Sequence, residues 1–235
     1  MLDGDPLRIL VPVDVSNEDL RSLEVLHHLG ELEAVVLGVF VVPDQAVPAH
    51  LKEEFHDDAE ARLESLVDGH PGAEGVLVFT HDRQASIDRV AEEHGCDAVL
   101  TPRTSAGIEQ VLVPLRGDAN LDRIAAAVAG LLAATEATAT LFHAVGEGGS
   151  AEAGEALLDD ATERLTAHGV ERDRLDHELA TEEDAQEGIV DRASGYDLVV
   201  FGETEPSLRE RIIGEALSAM IDSLEVPALV VRDVG

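Results

Sequence analysis

Few residues in this chain have both the type and the spacing that catalysis or metal binding requires. His56 is followed by two aspartates and His27 by a second histidine, but adjacent positions on a helix face different directions. Neither group can converge on one ion without ligands from elsewhere, so we expect no metal site. The single cysteine, Cys96, follows a glycine at a predicted strand start, a position typical of a small core residue. The chain also lacks a serine-hydrolase elbow, a Walker loop and a dinucleotide fingerprint, so we expect no catalytic site.

The remaining candidates are glycines and a carboxylate at the ends of predicted strands. Glycine lets a backbone approach phosphate groups closely. Gly202 ends a predicted strand and Gly214 follows it in the chain, so both are candidates for contact with phosphate. The glycine-rich segment 146–149 follows a different strand, where we do not expect a phosphate cradle. Asp14 ends the first predicted strand. What these residues can do depends on the elements that position them.

The composition is typical of a folded α/β protein. Of 235 residues, 45% are hydrophobic, which excludes a disordered chain and is enough for one large domain or two small ones. The apolar residues are mainly aliphatic, which suits buried parallel strands. No apolar segment approaches the length of a membrane span, the N-terminus does not resemble a signal peptide, and one cysteine precludes an internal disulfide. We therefore expect a cytoplasmic protein without direct membrane insertion.

Acidic residues dominate the charge along the whole chain. Asp and Glu number 49 against 16 Lys and Arg, which gives a formal net charge of −33, and Lys52 is the only lysine. This distributed excess is typical of adaptation to the salt-filled cytoplasm of extreme halophiles. The alternative is that acidity only keeps the protein soluble. Either way we expect no nucleic-acid partner, because phosphate binding needs a basic surface.

Two segments recur at nearly the same spacing, which predicts an internal duplication. Residues 8–13 (RILVPV) reappear at 110–115 (QVLVPL), and residues 95–100 (GCDAVL) reappear at 195–200 (GYDLVV). The offsets are about 100 residues in both cases. We therefore predict two units, spanning 1–107 and 108–235.

Strands and helices alternate within each predicted unit. In the first unit the pattern predicts strands at 8–14, 34–42, 75–80 and 97–102, with helices at 17–29, 49–67 and 84–94. In the second it predicts strands at 110–115, 138–145, 174–180, 197–202 and 228–232, with helices at 120–134, 151–168, 184–194 and 208–224. Such alternation predicts right-handed crossovers and a parallel sheet covered on both faces. The first unit has no room for a fourth helix and a fifth strand.

These segments resemble the universal stress protein family in its tandem form. The resemblance covers nearly the whole chain and is carried by the strand segments 9–14, 141–145, 197–202 and 225–231 and by the order of the elements. It implies two open parallel sheets with strand order 3-2-1-4-5, the first truncated after strand four. It also implies a ligand crevice at the carboxyl ends of strands one and four, the point where strand order reverses.

The resemblance implies a degenerate nucleotide site formed by Val13, Asp14, Val41, Gly202 and Gly214. In ATP-binding members a glycine motif follows strand four: Gly, two residues, Gly, nine residues, Gly, then Ser or Thr. Here Glu205 replaces the second glycine, Gly214 is one residue early, and Glu215 replaces the hydroxyl residue. Carboxylates would repel a triphosphate.

The two units depart from the family pattern in opposite ways. The first keeps the family's aspartate as Asp14 but has no glycine motif, and the second has Arg116 at the aspartate position. We therefore expect no bound cofactor and no ATP binding in the family's usual manner. His143 matches a position that is often histidine in the family, and we expect it to be packed or hydrogen-bonded within its strand.

The expected function is that of a non-catalytic stress-response or regulatory binding module that acts through protein contacts or a small ligand and is not an enzyme. We also expect it to form a homodimer. Two alternatives stay open. One is a nucleotide-binding protein with weak ATPase activity, using Asp14. The other is a cytoplasmic regulatory partner of a membrane transporter, since the family also occurs as domains appended to transporters. The unpaired edge left by the missing fifth strand further predicts that strand 228–232 lies at the junction of two sheets, within one chain or between two. Otherwise the connection 101–110 would have to cover that edge.

Overall fold

The computed structural model describes residues 7–16, 33–43, 45, 48–68, 70, 72–103, 107–146, 149–181, 185–203 and 215–233. The first half contains β1 (Arg8–Asp14), β2 (Glu33–Val41), α1 (Pro48–Val67), β3 (Ala73–Thr80), α2 (Arg83–Glu93) and β4 (Ala98–Thr101). The second half contains β5 (Gln110–Pro114), α3 (Leu121–Ala134), β6 (Thr138–Val145), α4 (Ala151–Ala167), β7 (Leu175–Thr181), α5 (Ala185–Ala193), β8 (Leu198–Gly202), α6 (Glu215–Ser223) and β9 (Ala228–Val231). The helix predicted at 17–29 and the start of that predicted at 208–224 lie outside the described residues.

Local sequence signals account for several helix boundaries. Asp82 precedes α2, and its Oδ1 accepts a hydrogen bond of 3.0 Å from the backbone N–H of Ala85. Ser150 caps α4 in the same way, accepting from Ala153 N–H at 3.3 Å. These side chains satisfy backbone donors that have no partner within the helix. Gly95 and Gly169 follow α2 and α4 with positive φ angles of 61° and 90°, the conformation that glycine adopts most easily.

The strands form a single nine-stranded sheet of order β3-β2-β1-β4-β9-β8-β5-β6-β7. Each half contributes the predicted order, and nearly all neighbouring strands are parallel. The exception is β9, which is parallel to β8 but antiparallel to β4, with Val230 opposite Val99. The predicted junction strand is thereby confirmed, and its partners belong to the same chain. Because β9 covers the edge of β4, the connection 101–110 does not have to do so.

The antiparallel contact decides how the two halves are oriented. All strands of the first half run opposite to β5, β6 and β8, because β9 follows the direction of β8 and opposes β4. In a wholly parallel sheet, as the alternation alone suggests, the carboxyl ends of all strands would lie on the same side. Instead, the first-half strands end on one side of the sheet and the second-half strands β5, β6 and β8 end on the opposite side. Two crevices of the expected kind would therefore face opposite directions.

The repeated Gly-X-Asp segments occupy equivalent positions in the two halves. Asp97 Oδ2 accepts a hydrogen bond of 3.1 Å from Arg8 N–H, and Asp97 N–H donates to Arg8 C=O. Asp197 Oδ2 accepts bonds of 2.9 Å from Glu109 N–H and Gln110 N–H, and Asp197 N–H donates to Gln110 C=O. The aspartate thus connects the start of β4 to the start of β1 in the first half, and the start of β8 to the start of β5 in the second half. The recurrence of this arrangement agrees with the predicted duplication.

Apolar side chains pack on both faces of the sheet. On one face, residues of α1, α3 and α4 such as Leu63, Leu131 and Leu158 cover the strands. On the other, residues of α2, α5 and α6 such as Val90 and Ile189 do so. Both clusters extend across the two halves, because β9 contributes Leu229 to one cluster and Val230 to the other. Burial of aliphatic surface on both faces thus stabilises the halves together.

Candidate functional site

The carboxyl ends of β5 and β8 form the second-half crevice that the strand order predicts. The two strands pair only through Val111 with Leu198 and Leu112 with Val199, and they separate beyond these residues. Arg116 follows β5 at the surface, whereas Gly202 ends β8. The structure thus places Arg116 and Gly202 at the carboxyl ends of these two strands.

Gly202 has a packing role that the sequence did not reveal. A Cβ atom at this position would collide with the side chain of Ile124 on α3, whose Cγ1 would lie only 2.9 Å away. Real Cβ contacts are essentially never this short. The close approach of α3 to β8 therefore requires glycine here, without reference to any phosphate.

A small cavity lined mainly by apolar side chains lies between β5 and β8. Its volume of about 30 Å³ suits a water molecule rather than a nucleotide. The lining includes Ile124, Ile189, Phe201, Leu217 and Met220. This part of the crevice does not fit a triphosphate. Gly214 and the loop from Thr204 lie outside the described residues, so the structure does not place that part of the expected site.

A larger, open pocket of about 690 Å³ lies beside the crevice, at the carboxyl ends of β5 and β6 and the start of α4. Its lining residues are Arg116, Gly117, Asp118, His143, Ala144, Val145, Gly146, Gly149, Ser150, Ala153, Gly154, Ala156, Leu157 and Asp160. Gly146 and Gly149 belong to the segment that the sequence did not associate with a site. Gly154 allows α4 to pack closely against β6 at this pocket. A Cβ atom at position 154 would lie only 2.8 Å from His143 Cδ2, so a larger residue would push the helix away from the strand.

His143 is fixed within the wall of this pocket. Its Nδ1 lies 2.8 Å from the carbonyl oxygen of Leu115, at the end of β5, and the side chain is half-buried. The expected role of a hydrogen-bonded strand histidine is therefore confirmed. The bond ties the end of β5 to β6, immediately before Arg116.

The charges around the open pocket are mixed. Arg116 is the exposed cation, and Asp118 and Asp160 are the carboxylates. Asp160 is held by Arg164, whose Nη2 lies 3.0 Å from Asp160 Oδ2 and which also contacts Asp122. The wall offers donors, acceptors and apolar surface from Val145 and Leu157, a combination typical of small-molecule sites.

The first-half residues Val13, Asp14 and Val41 lie near the carboxyl ends of β1 and β2. Asp14 Oδ1 accepts hydrogen bonds from the Ser16 backbone N–H at 2.8 Å and from Ser16 Oγ at 2.5 Å. Val13 is buried, whereas Val41 is 40% exposed. Val13 and Asp14 alternate along β1, so their side chains leave opposite faces of the sheet. The three residues therefore do not form one surface.

Two arginines that sequence reasoning missed bind carbonyl groups beside Asp14. Arg62 Nη1 donates to Val15 C=O at 2.8 Å, and Arg83 Nη2 donates to Pro12 C=O at 3.4 Å. They come from α1 and from the start of α2, respectively. The chain has only 16 Lys and Arg residues, and this scarcity is a signal in the sequence that singles out each arginine as a candidate.

A buried arginine lies where the two halves meet. Arg232, directly after β9, is 6% exposed, and Glu203, directly after β8, is half-buried. Burial raises the pKa of Glu203, and the bond from Asp233 N–H and the charge of Arg232 oppose this shift. The carboxyl end of β8 is thus coupled electrostatically to the junction strand.

The sequence also raised Cys96 and two histidine-containing groups as candidates, of which His27 and His28 lie outside the described residues. Cys96 is buried, and desolvation raises its pKa to about 11, so the thiolate that a nucleophile requires is scarce at neutral pH. Across the described ranges, no three His, Cys, Asp or Glu side chains are grouped so that they could hold a metal ion. None of the helices in those ranges has the length and apolar character that crossing a membrane requires.

No protein-family model matches the sequence, and no curated protein matches it either. Solved structures do match its fold. A universal stress protein from Archaeoglobus fulgidus DSM 4304 superposes with a TM-score of 0.67 at 16% identity, covering 96% of each chain. A putative universal stress protein from Pseudomonas aeruginosa UCBPP-PA14 gives 0.55 at 16% identity, covering 95% of this chain and 92% of that one.

A third match is the cytoplasmic domain of a prokaryotic cation chloride cotransporter. Its TM-score is 0.53 at 12% identity, and the alignment covers 97% of this chain and 96% of that domain. At these identities the likeness concerns the fold. Together with the strand order, it shows that the chain has the fold of the universal stress proteins.

Proposed function

We propose that this chain is a non-catalytic regulatory binding module of the universal stress protein type, which does not bind ATP in the family's usual manner. The observation that carries the proposal is the small size, about 30 Å³, and apolar lining of the cavity between β5 and β8. Ile124 also occupies the space in front of Gly202. A triphosphate needs backbone donors and room, and the small apolar cavity between β5 and β8 offers neither.

The sequence supports the same proposal. Glu205 and Glu215 stand where the family motif has glycine and a hydroxyl residue, and Arg116 stands where it has aspartate. The chain's formal net charge of −33 adds a general repulsion of polyanions. A site must be argued from its own residues rather than from its fold, and these residues disfavour ATP.

The open pocket beside Arg116 has room for a small ligand. Its volume of about 690 Å³ lies in the range of small-molecule sites. The ligand would meet Arg116 on one side and Asp160 on the other. Binding there would act on β5 through the His143–Leu115 hydrogen bond.

Calorimetry and native mass spectrometry in molar potassium chloride test this proposal with ATP, AMP and related nucleotides. We expect little or no binding of Mg–ATP and no thermal shift, since tight binding would stabilise the fold by mass action. Micromolar affinity for ATP would overturn the proposal and favour the nucleotide-binding alternative. Arg116→Gln is the matched variant for any smaller ligand that does bind, because it removes the charge at the pocket and leaves β5 intact.

A regulatory role beside a membrane transporter is the second candidate. It is favoured by the likeness to a cotransporter's cytoplasmic domain, which extends over 97% of this chain. In that role the module would act in the cytoplasm through protein contacts. Affinity capture with the full chain in high salt tests it, and repeated recovery of a transporter would be the supporting result.

A further inference from the structure

Arg116, at the wall of the open pocket, has no hydrogen-bonding or ionic partner among the residues that the structure describes. Every other arginine in those ranges has a hydrogen-bonding or electrostatic partner. Arg174, for example, donates to Ala137 C=O at 3.0 Å. Basic residues are scarce in this chain, 16 against 49 acidic ones, so an unpaired arginine at a pocket is unusual here. A guanidinium group in this position can bind a ligand carboxylate through two parallel hydrogen bonds.

Asp118 adds a negative charge to the same pocket, and its side chain also lacks a partner within the described ranges. Both side chains are exposed, and Asp118 forms no ion pair with Arg116, two positions earlier. Asp160, the other carboxylate of the wall, is already bound by Arg164, with 3.0 Å between Asp160 Oδ2 and Arg164 Nη2. The described wall therefore presents one uncompensated positive charge and one uncompensated negative charge.

His143 supplies a hydrogen-bond acceptor beside these charges. Its Nδ1 lies 2.8 Å from Leu115 C=O, and because a carbonyl oxygen can only accept, Nδ1 carries the hydrogen. In the neutral ring Nε2 is then an acceptor, and no described residue donates to it. Leu115 C=O belongs to the peptide bond that leads into Arg116, so the imidazole ring lies next to the backbone of the unpaired arginine. A ligand with an N–H group satisfies this acceptor.

The remaining wall is apolar. Val145, at the end of β6, and Leu157, on α4, both line the pocket, together with Ala153 and Ala156. The volume of about 690 Å³ leaves room for a hydrocarbon group beside the polar groups. Apolar surface with a few polar groups that fix orientation is the usual composition of a small-molecule site.

The charges of the pocket and of the whole chain restrict the class of ligand. A net charge of −33 repels an anion, and a cation leaves the charge of Arg116 uncompensated. A zwitterion has no net charge and offers a complement to both Arg116 and Asp118. A quaternary ammonium zwitterion has no N–H group for His143, whereas a primary ammonium has three.

We propose that the open pocket binds a zwitterion of the amino-acid type. Its carboxylate pairs with Arg116, its ammonium group donates to His143 Nε2 and pairs with Asp118, and its side chain lies against Val145 and Leu157. This assignment rests on the proposed binding function and names the chemical class of its ligand.

Thermal shift and calorimetry of the full chain in molar potassium chloride, with the standard L-amino acids as probes, test the proposal. We expect at least one amino acid with an apolar side chain to raise the melting temperature, because binding to the folded state stabilises it. The best binder is then compared with its carboxamide, its N-acetyl derivative and its N,N,N-trimethyl derivative. These remove the carboxylate, the ammonium charge and the N–H donors, respectively, and each should bind about tenfold more weakly.

Two variants assign the charges of the probe to residues of the pocket. Arg116→Gln should weaken binding of the amino acid about tenfold but leave binding of the carboxamide unchanged, because the carboxamide has no carboxylate to lose. Asp118→Asn should weaken the amino acid but not its N-acetyl derivative. Arg89→Gln removes a positive charge on α2, where Arg89 pairs with Glu93, and should leave all affinities unchanged. The methyl resonances of Val145 and Leu157 should shift during the titration.

A chain whose melting temperature responds to none of the amino acids overturns the proposal. So do equal affinities for the amino acid and its carboxamide, or equal effects of Arg116→Gln and Arg89→Gln. Failure here is distinct from failure of the proposed function, which is measured with Mg–ATP. A chain that binds neither ATP nor an amino acid loses only this assignment, whereas micromolar ATP binding overturns the proposed function whatever the amino acids do.

Discussion

Arg232 and Cys96 join the two halves of the chain through a hydrogen bond of 2.7 Å from Arg232 Nη1 to Cys96 C=O. The backbone N–H of Arg232 also donates to Asp97 C=O at 2.9 Å. Asp97 in turn binds Arg8, at the start of β1. The first strand of one half and the last strand of the other are thus connected through a few buried polar contacts.

Replacing Arg232 by methionine should therefore destabilise the protein. The variant keeps the apolar stem but loses a charged hydrogen-bond donor to a buried carbonyl, which costs about 2–3 kcal/mol of unfolding free energy. Urea unfolding in molar potassium chloride measures this loss. Arg89→Met is the matched control, because the exposed Arg89–Glu93 pair contributes about 0–1 kcal/mol. Equal losses in the two variants would contradict the role assigned to Arg232.

Deleting residues 226–235 should weaken both halves at once. Without β9, β4 and β8 each lose a neighbour, and apolar side chains of both core clusters become exposed. Hydrogen exchange should show faster exchange of the amides in β4 as well as in β8. If β4 kept its protection in the truncated chain, the first half would be stable without the junction strand.

Gly202→Ala tests whether this glycine is kept for packing. The added methyl group collides with Ile124, and such overpacking costs about 1–3 kcal/mol of unfolding free energy. Ile124→Ala in the same chain should recover part of this loss, which a double-mutant cycle measures as coupling between the two sites. Gly146→Ala is the control, since a Cβ there meets nothing within 4 Å. A loss at Gly202 that is independent of Ile124 would argue against the packing explanation.

The pH dependence of stability should include a contribution from His177. Burial, and then the charge of Arg172, lowers the pKa of His177 below its ordinary value of 6.5. The unfolded chain therefore takes up this proton more readily than the folded one. The stability contributed by neutral His177 is present above about pH 6.5 and is lost as pH falls through the lower folded value.

Unfolding measurements between pH 5 and 8 with His177→Gln should isolate this contribution. On acidification, the free energy of unfolding should decrease less in His177→Gln than in the parent. His168→Gln, at an exposed position after α4, should retain the parent's dependence. Parallel curves for the parent and His177→Gln would show that His177 does not contribute.

The melting temperature should fall when the protein is moved from molar potassium chloride to dilute buffer. The excess of 33 negative charges repels itself, and screening weakens as salt is removed. Differential scanning fluorimetry over a salt series measures the effect, and potassium glutamate distinguishes screening from chloride binding. An unchanged or rising melting temperature would contradict the adaptation to salt inferred from the composition.

The alternation of elements and the aliphatic runs were sufficient to predict the fold class. Residues 138–145 and most other predicted strands match the observed ones to within two residues, because hydrophobic pattern and chain direction are local properties. The spare strand at 228–232 was placed at a sheet junction for a physical reason that sequence also carries: an open apolar edge must be covered. The hydrogen-bonded role of His143 was predicted from the resemblance to the family, in which this strand position is often histidine.

Tertiary structure decided what lies across space from each residue. Sequence identified Gly202 as a possible phosphate contact, but only the packing of α3 on β8 brings Ile124 against it. Sequence could not choose between pairing within one chain and between two chains, because both cover the same edge; the contact of Val230 with Val99 decides it. The burial of Arg232 against Cys96, 136 positions away, likewise depends on the antiparallel direction of β9, a long-range property that no local pattern encodes.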